Sequence, residues 1–226
     1  ETHVYAGGRC GLYEFKDGHL LHYYNKDNSP LKPAIDRGKE LDNDYVLIHG
    51  VQFDQAGNLV VLNSQAKGVN MLLLSKDHTW TDYHQNLLDD AEGVTLEGLR
   101  SMFFDSRGLL WFVNTSWKDQ SVCCYQPSSN TLLKYSTFVN QDGLSYSPTL
   151  INSVCEDKEK NIWVGTNIGP FMIKSEEVGQ DNVTFYQIKV PRNDGTNYAD
   201  YLLNDVHISH IAIDGGNRKW FATNGA

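Results

Sequence analysis

Four segments of this 226-residue chain share one layout, in which an apolar run ends in Asp, a short turn rich in Gly and Asn follows, and a second apolar run begins. The copies are Gly50–Asp54 with Gly57–Val61, Arg100–Asp105 with Gly108–Phe112, Asn152–Asp157 with Asn161–Thr166, and His210–Asp214 with Asn217–Thr223. The residue six after the Asp is Val60, Trp111, Trp163 or Trp220. From Asp54 through Asp105 and Asp157 to Asp214 the steps are 51, 52 and 57 residues. A period of this size, with only strand-like runs inside each unit, marks an all-β chain folded as a β-propeller, each unit being one four-stranded antiparallel blade.

The remainder of each unit fits that reading. After Asp105 two further runs, Val122–Gln126 and Thr131–Phe138, flank the turn-forming Pro127-Ser128-Ser129-Asn130, and after Asp157 the corresponding runs are Phe171–Lys174 and Val183–Val190. No stretch sustains a helical period. Blade-like units are expected over about residues 3–25, 46–84, 99–138, 151–190 and 207–226, all in one domain, 1–226. At the start, Val4–Gly8 reads as the second strand of a blade, with Gly11–Lys16 and His19–Tyr24 as its third and fourth. The last unit also supplies a second strand, so the expectation is a partial propeller of about four and a half blades, and a complete four-bladed ring is the alternative.

Within the motif the Asp can accept hydrogen bonds from turn amides, and Gly or Asn tolerates a positive φ. The indole then lies on a blade face and fills the space beside the next blade. Asp54, Asp105, Trp111, Asp157, Trp163, Asp214 and Trp220 are therefore read as structural, with Trp111 and Trp163 buried. Gly165 and Ala222 are small where strands crowd together.

A formal net charge of −9, with Lys and Arg scattered, argues against nucleic acid and anionic lipid as partners. The longest apolar run, Leu109–Val113, is far too short to insert in a membrane. Glu1–Ala6 has neither the basic start nor the apolar core of a secretion signal. Cys10, Cys123, Cys124 and Cys155 form no Cys-x-x-Cys pair, which removes the usual zinc and redox motifs and favours thiols that act as small apolar residues. No cofactor or metal site is expected.

The sialidase-type Asp box places its aromatic five residues after the Asp rather than six, and the Trp-Asp pairs of WD40 blades are not found here. Asn152–Gly169, ending Asn161-Ile162-Trp163-Val164-Gly165-Thr166-Asn167-Ile168-Gly169, instead resembles the regulator-propeller repeat, and Asp214–Gly225 is its second-best match. That resemblance implies an extracytoplasmic propeller of the kind found in Bacteroides-type hybrid two-component sensors and in surface proteins associated with type IX secretion. The irregular steps and the segment Val190–Trp220 look more like the secretion-associated relatives. The implied location is the periplasm or the outer cell surface, and the implied partners include the remaining blades or domains of a larger protein.

An enzyme would draw its groups from loop carboxylates such as Asp42, Asp44, Asp89, Asp90, Glu92, Glu97, Asp194 and Asp200, two of which could flank a glycosidic bond. The pair His207 and His210 would point to opposite faces of a strand. Asp42-Asn43-Asp44 and Asn140-Gln141-Asp142-Gly143 offer oxygen ligands without a full calcium-loop pattern. No nucleophile elbow, phosphate-binding glycine loop or zinc-protease motif is found. The expected role is non-enzymatic, either ligand sensing or protein docking, and the rival is a propeller enzyme acting on a polysaccharide.

Long inter-blade connections, about residues 26–45, 85–98, 139–150 and 191–206, would build a binding face with the links between second and third strands. That face would carry Trp117, Tyr45, Tyr146, Tyr198 and Tyr201 among acidic and amide groups, suited to a glycan or an extended peptide. Trp117 is the expected anchor. The competing expectation is that these rings only pin their loops to the scaffold.

Overall fold

The computed structural model describes residues 3–42, 45–116 and 119–224. The chain divides into two compact units, Glu1–Phe104 and Asp105–Ala226.

In the first unit, β1 (His3–Gly8), β2 (Gly11–Lys16) and β3 (His19–Tyr24) pair antiparallel in that order, at the strand positions the sequence indicates. A small hairpin joins β4 (Ile35–Asp36) to β5 (Lys39–Glu40). A full four-stranded antiparallel sheet follows, β6 (Leu47–Phe53), β7 (Leu59–Ser64), β8 (Met71–Leu74) and β9 (Trp80–Asp82). β10 (Leu99–Phe104) and β1 both pack beside β6. Every residue of β7 is buried, because a strand inside a sheet covered on both faces has no solvent side. Leu12, Leu31, Ile48, Val61 and Leu72 form the centre of this unit's core.

The second unit begins with β11 (Leu110–Asn114), β12 (Ser121–Gln126) and β13 (Thr131–Tyr135), paired in that order, and the short hairpin of β14 (Phe138–Val139) and β15 (Ser145–Tyr146). Next come β16 (Ile151–Glu156), β17 (Ile162–Thr166) and β18 (Gly169–Ile173), then the hairpin of β19 (Lys189–Pro191) and β20 (Ala199–Tyr201), and last β21 (Ile208–Ile213) with β22 (Lys219–Thr223). A single 3-10 turn at Asn86–Leu88 is the only helical element among the described residues. No helix among them is long and apolar enough to cross a membrane.

One turn recurs at all four repeat aspartates. In each, the Asp amide donates to the carbonyl four residues on, and the amide three residues on donates back: Asp54–Asn58 2.8 Å and Gly57–Asp54 3.0 Å, Asp105–Leu109 2.9 and Gly108–Asp105 3.0, Asp157–Asn161 2.9 and Lys160–Asp157 2.9, Asp214–Arg218 3.1 and Asn217–Asp214 3.1. The Asp Oδ1 accepts the amide four residues on in every copy. The residue three after the Asp has φ of 81, 83, 67 and 64° at Gly57, Gly108, Lys160 and Asn217, which explains the Gly and Asn in the motif. The six-residue spacing also has a cause. Trp111, Trp163 and Trp220 donate their indole Nε1–H to Oδ2 of Asp105, Asp157 and Asp214 at 3.0, 2.9 and 3.0 Å. Val60 has no such donor, and Asp54 Oδ2 instead accepts from Asn58 Nδ2 at 2.9 Å.

Trp111 and Trp163 are buried as expected, and Trp163 meets Phe221 edge to face at 5.9 Å. Trp220 is 59% exposed, on a sheet of two strands. Gly165 is packed so closely that a Cβ there would lie 2.6 Å from Ser153 Oγ and 2.9 Å from Ile208 Cγ2. The run Val183–Val190 does not form the regular fourth strand that the pattern suggests. Tyr186 makes an isolated bridge to Met172, Phe185 turns inward and stacks on Phe138 at 3.8 Å, and Lys189 and Val190 pair with β20 instead. Cys123 and Cys124 are both fully buried free thiols, and burial pushes the Cys123 thiol up to about 12.

Candidate functional site

Three of the four connections that the sequence reads as long loops carry a short hairpin, β4–β5, β14–β15 or β19–β20, whereas residues 85–98 hold the 3-10 turn and isolated bridges. Residues 139–150 turn at Asn140 in the same manner as the repeat aspartates: Asn140 N donates to Leu144 O at 2.8 Å, and Asn140 Oδ1 accepts from Asp142 and Leu144 amides at 3.0 and 2.9 Å. The amide oxygen of Asn140 is thus engaged in its own turn, so Asn140-Gln141-Asp142-Gly143 has a structural explanation. The stretch Asp42-Asn43-Asp44 includes 43 and 44, which lie outside the described residues.

The β14–β15 and β19–β20 hairpins are laced together. Asn140 Nδ2 donates to Gln187 Oε1 at 2.9 Å and to the Tyr201 hydroxyl at 3.1 Å. Gln141 exchanges two hydrogen bonds with the Gln187 backbone, at 2.7 and 3.0 Å. The Tyr201 hydroxyl donates to Asp142, whose other oxygen takes Lys189 Nζ at 2.8 Å. These two donors, Lys189 first, hold the Asp142 carboxyl below the usual carboxylate range. Farther along the second hairpin, Arg192 grips Asp200 with two nitrogens at 2.7 and 2.5 Å and lowers its pKa.

The aromatic residues separate into distinct situations. Tyr198 is 69% exposed near the end of the β19–β20 hairpin, held through its carbonyl by Arg192 N at 2.9 Å. Tyr201 is half-buried, with Lys189 Nζ 5.9 Å from its ring centre. Tyr146, on β15, is half-buried and meets Phe171 edge to face at 5.5 Å, the pinning role. Tyr45 belongs to the first unit, where it lines an open cavity of about 550 Å³ with Arg37, Lys39 and Glu40. Trp117, the expected anchor, lies outside the described residues. The polar partners Gln187 and Lys189 were not singled out from sequence, since their meeting with Asn140, Gln141 and Asp142 depends on contacts across 46 or 47 residues. In the first unit, Glu14, His22 and His78 bring possible metal-ligating atoms within 4.8 Å of one another.

Residues 145–167, which run from β15 through β16 and its turn into β17, match the family model described as two component regulator propeller. The chain carries a regulator-propeller repeat. The propeller fold as a whole is similar to PorZ, an essential bacterial surface component of the type-IX secretion system of Porphyromonas gingivalis, with a TM-score of 0.80 at 21% identity over 99% of this chain and 30% of that one. It is also similar to the extracellular domain of a putative one component system from B. thetaiotaomicron, with a TM-score of 0.59 at 14% identity, covering 98% of this chain and 25% of that one. A third likeness is to virginiamycin B lyase from Staphylococcus aureus, with a TM-score of 0.51 at 10% identity, covering 96% of this chain and 64% of that one. No curated protein matches the chain. At these identities the likeness is one of fold, and the propeller spans less than a third of the first two solved chains.

Proposed function

We propose that this propeller is a non-enzymatic extracytoplasmic module, in the periplasm or on the outer cell surface, that senses a ligand or docks a protein. The observation that carries the reading is the likeness to PorZ over 99% of the chain, supported by the likeness to an extracellular sensor domain. The remaining blades or domains of a larger protein are its first partners. Its binding surface in the second unit is the laced pair of hairpins, where Tyr198 offers an exposed aromatic plane toward the turn of the β19–β20 hairpin and Tyr201, Asp142 and Lys189 supply polar groups at its base, a combination suited to a sugar ring or an extended peptide. Trp117 joins the proposed set as a residue of the link after β11, and Tyr146 as a secondary member; Tyr45, in the first unit, is a separate candidate beside its own cavity.

The rival reading, an enzyme acting on a polysaccharide, needs a carboxylic acid held protonated near neutral pH. Asp142, Asp194 and Asp200 go the other way, lowered by Lys189, by Thr196 and by Arg192 respectively, which favours the non-enzymatic reading. A glycan and peptide array probed with wild type and Tyr198→Ala tests the proposal. Binding that falls at least about tenfold in the variant, with no turnover of a polysaccharide panel, supports it. Hydrolysis abolished by changing one loop carboxylate would establish the enzyme instead.

A further inference from the structure

Imidazoles converge on a buried carboxylate in the first unit. Glu14 sits on β2 with its side chain 1% exposed, and strand pairing sets Tyr5 of β1 and His22 of β3 opposite it. His22 Nδ1 lies 2.8 Å from Glu14 Oε2, and His78 Nδ1 lies 3.7 Å from the same oxygen. The other oxygen, Oε1, is 2.8 Å from His3 Nδ1. His78 arrives from the β8–β9 turn, where Ser75 N donates to Thr79 O and His78 N to Ser75 O, both at 3.0 Å, the same backbone pair as in the repeat aspartate turns. It occupies the left-handed position of that turn, at φ 62°, which Gly57 and Gly108 fill elsewhere. An imidazole at this position carries a backbone cost that Gly would not.

Hydroxyl donors already satisfy much of the carboxylate, since Tyr5 and Tyr24 both hydrogen-bond to it, Tyr24 at 3.1 Å. Two Nδ1 atoms on one oxygen are therefore more than burial requires. A tetrahedral zinc with bonds of about 2.0–2.1 Å sets neighbouring ligand atoms about 3.3 Å apart. The 2.8 and 3.7 Å separations bracket that spacing, and the His22 and His78 side chains are 46% and 40% exposed, so their rings can turn to meet it. The Tyr24 hydroxyl is 2.6 Å from His78 Nδ1 and has Glu14 Oε2 as its alternative acceptor, so it can release that nitrogen. Two imidazole nitrogens with one carboxylate suit zinc and its first-row neighbours, whereas calcium and magnesium take all-oxygen shells. A cavity of about 230 Å³, lined in part by Tyr5, Ser75, Lys76 and His78, adjoins the cluster and leaves room for a water or a ligand atom in the fourth position.

We propose that Glu14, His22 and His78 hold one divalent first-row transition-metal ion, zinc being the best match, while His3 braces the carboxylate through its other oxygen. The bracing is the usual outer hydrogen bond that orients a metal ligand. Because protons compete for the imidazole nitrogens, uptake weakens on acidification.

Calorimetric titration of the chelator-treated chain with Zn²⁺, Ca²⁺ and Mg²⁺ tests this. One Zn²⁺ per chain is expected, with no uptake of Ca²⁺ or Mg²⁺. His22→Ala and His78→Gly should each weaken zinc binding at least about tenfold. His78→Gly suits the turn and keeps the variant folded, which its unfolding midpoint checks, so the result does not depend on Glu14→Gln, whose change lies in a buried position. No stoichiometric zinc uptake, equal uptake of calcium, or unchanged zinc affinity in both histidine variants would overturn the proposal.

Discussion

At the scale of single residues, each repeat aspartate binds the amides of its own turn through Oδ1, and in the three Trp-bearing copies Oδ2 takes the indole together with a further donor, Arg107, Asn161 and Lys219, or Arg218. Asp157→Asn would keep the first, as Asn140 does with an amide oxygen, but would set an amide NH₂ against the Trp163 N–H. The expected cost is about 1–3 kcal/mol, the penalty of a buried donor left unpaired, read as a lower denaturant midpoint. Trp111→Ala should cost about 3–5 kcal/mol, and Trp220→Ala, at a 59% exposed indole, about 1 kcal/mol or less. Equal losses for both would show that the indoles are not packed as described. Glu14 adds a pH dependence. Burial alone would raise its carboxyl, but hydrogen bonds from Tyr5, His3, His22 and Tyr24 outweigh that and hold it at about 2, below its ordinary 4.5. A group lowered on folding contributes stability above its unfolded value and loses it as pH falls through the folded one. Metal-free protein should therefore lose stability as pH falls from about 4.5 to 2, and Glu14→Gln should flatten that slope.

At the scale of elements, the hairpin of each repeat was legible because its logic is local: an apolar run, an Asp, a residue free to take positive φ three later, and an indole six later. Lys160 and Asn217 stand where Gly57 and Gly108 stand, so Lys160→Gly should raise stability by up to about 1 kcal/mol. Gly165→Ala should lower it, since Ser153 and Ile208 fill the space a methyl needs. Both are read from unfolding midpoints. The missing fourth strand at Val183–Val190 was not legible, because Phe185 is drawn into contact with Phe138, 47 positions earlier. Nor was the Glu14 cluster. The Asp17-Gly18 hairpin would set Glu14 opposite Leu21, but a register shift beside Phe15 substitutes His22, and His78 belongs to a turn more than fifty residues away.

At the scale of the whole molecule, a 51–57-residue period was enough to read the propeller fold, which the likeness to PorZ supports at a TM-score of 0.80. The binding surface was harder to read. Three of the four connections that look like open loops in the sequence close on themselves as hairpins, and of the aromatic residues they carry, Tyr146 is pinned against Phe171 while Tyr198 is left to solvent. The Asp turn recurs in all four repeats, and three of them lock it with one bond from indole to aspartate. Hydrogen exchange of the indole N–H groups, followed by ¹⁵N NMR, tests that bond most directly. Slow exchange at Trp111 and Trp163, with Trp220 faster but still hydrogen-bonded, is the predicted result. Indoles of Trp111 and Trp163 that exchange as fast as free tryptophan would contradict the account.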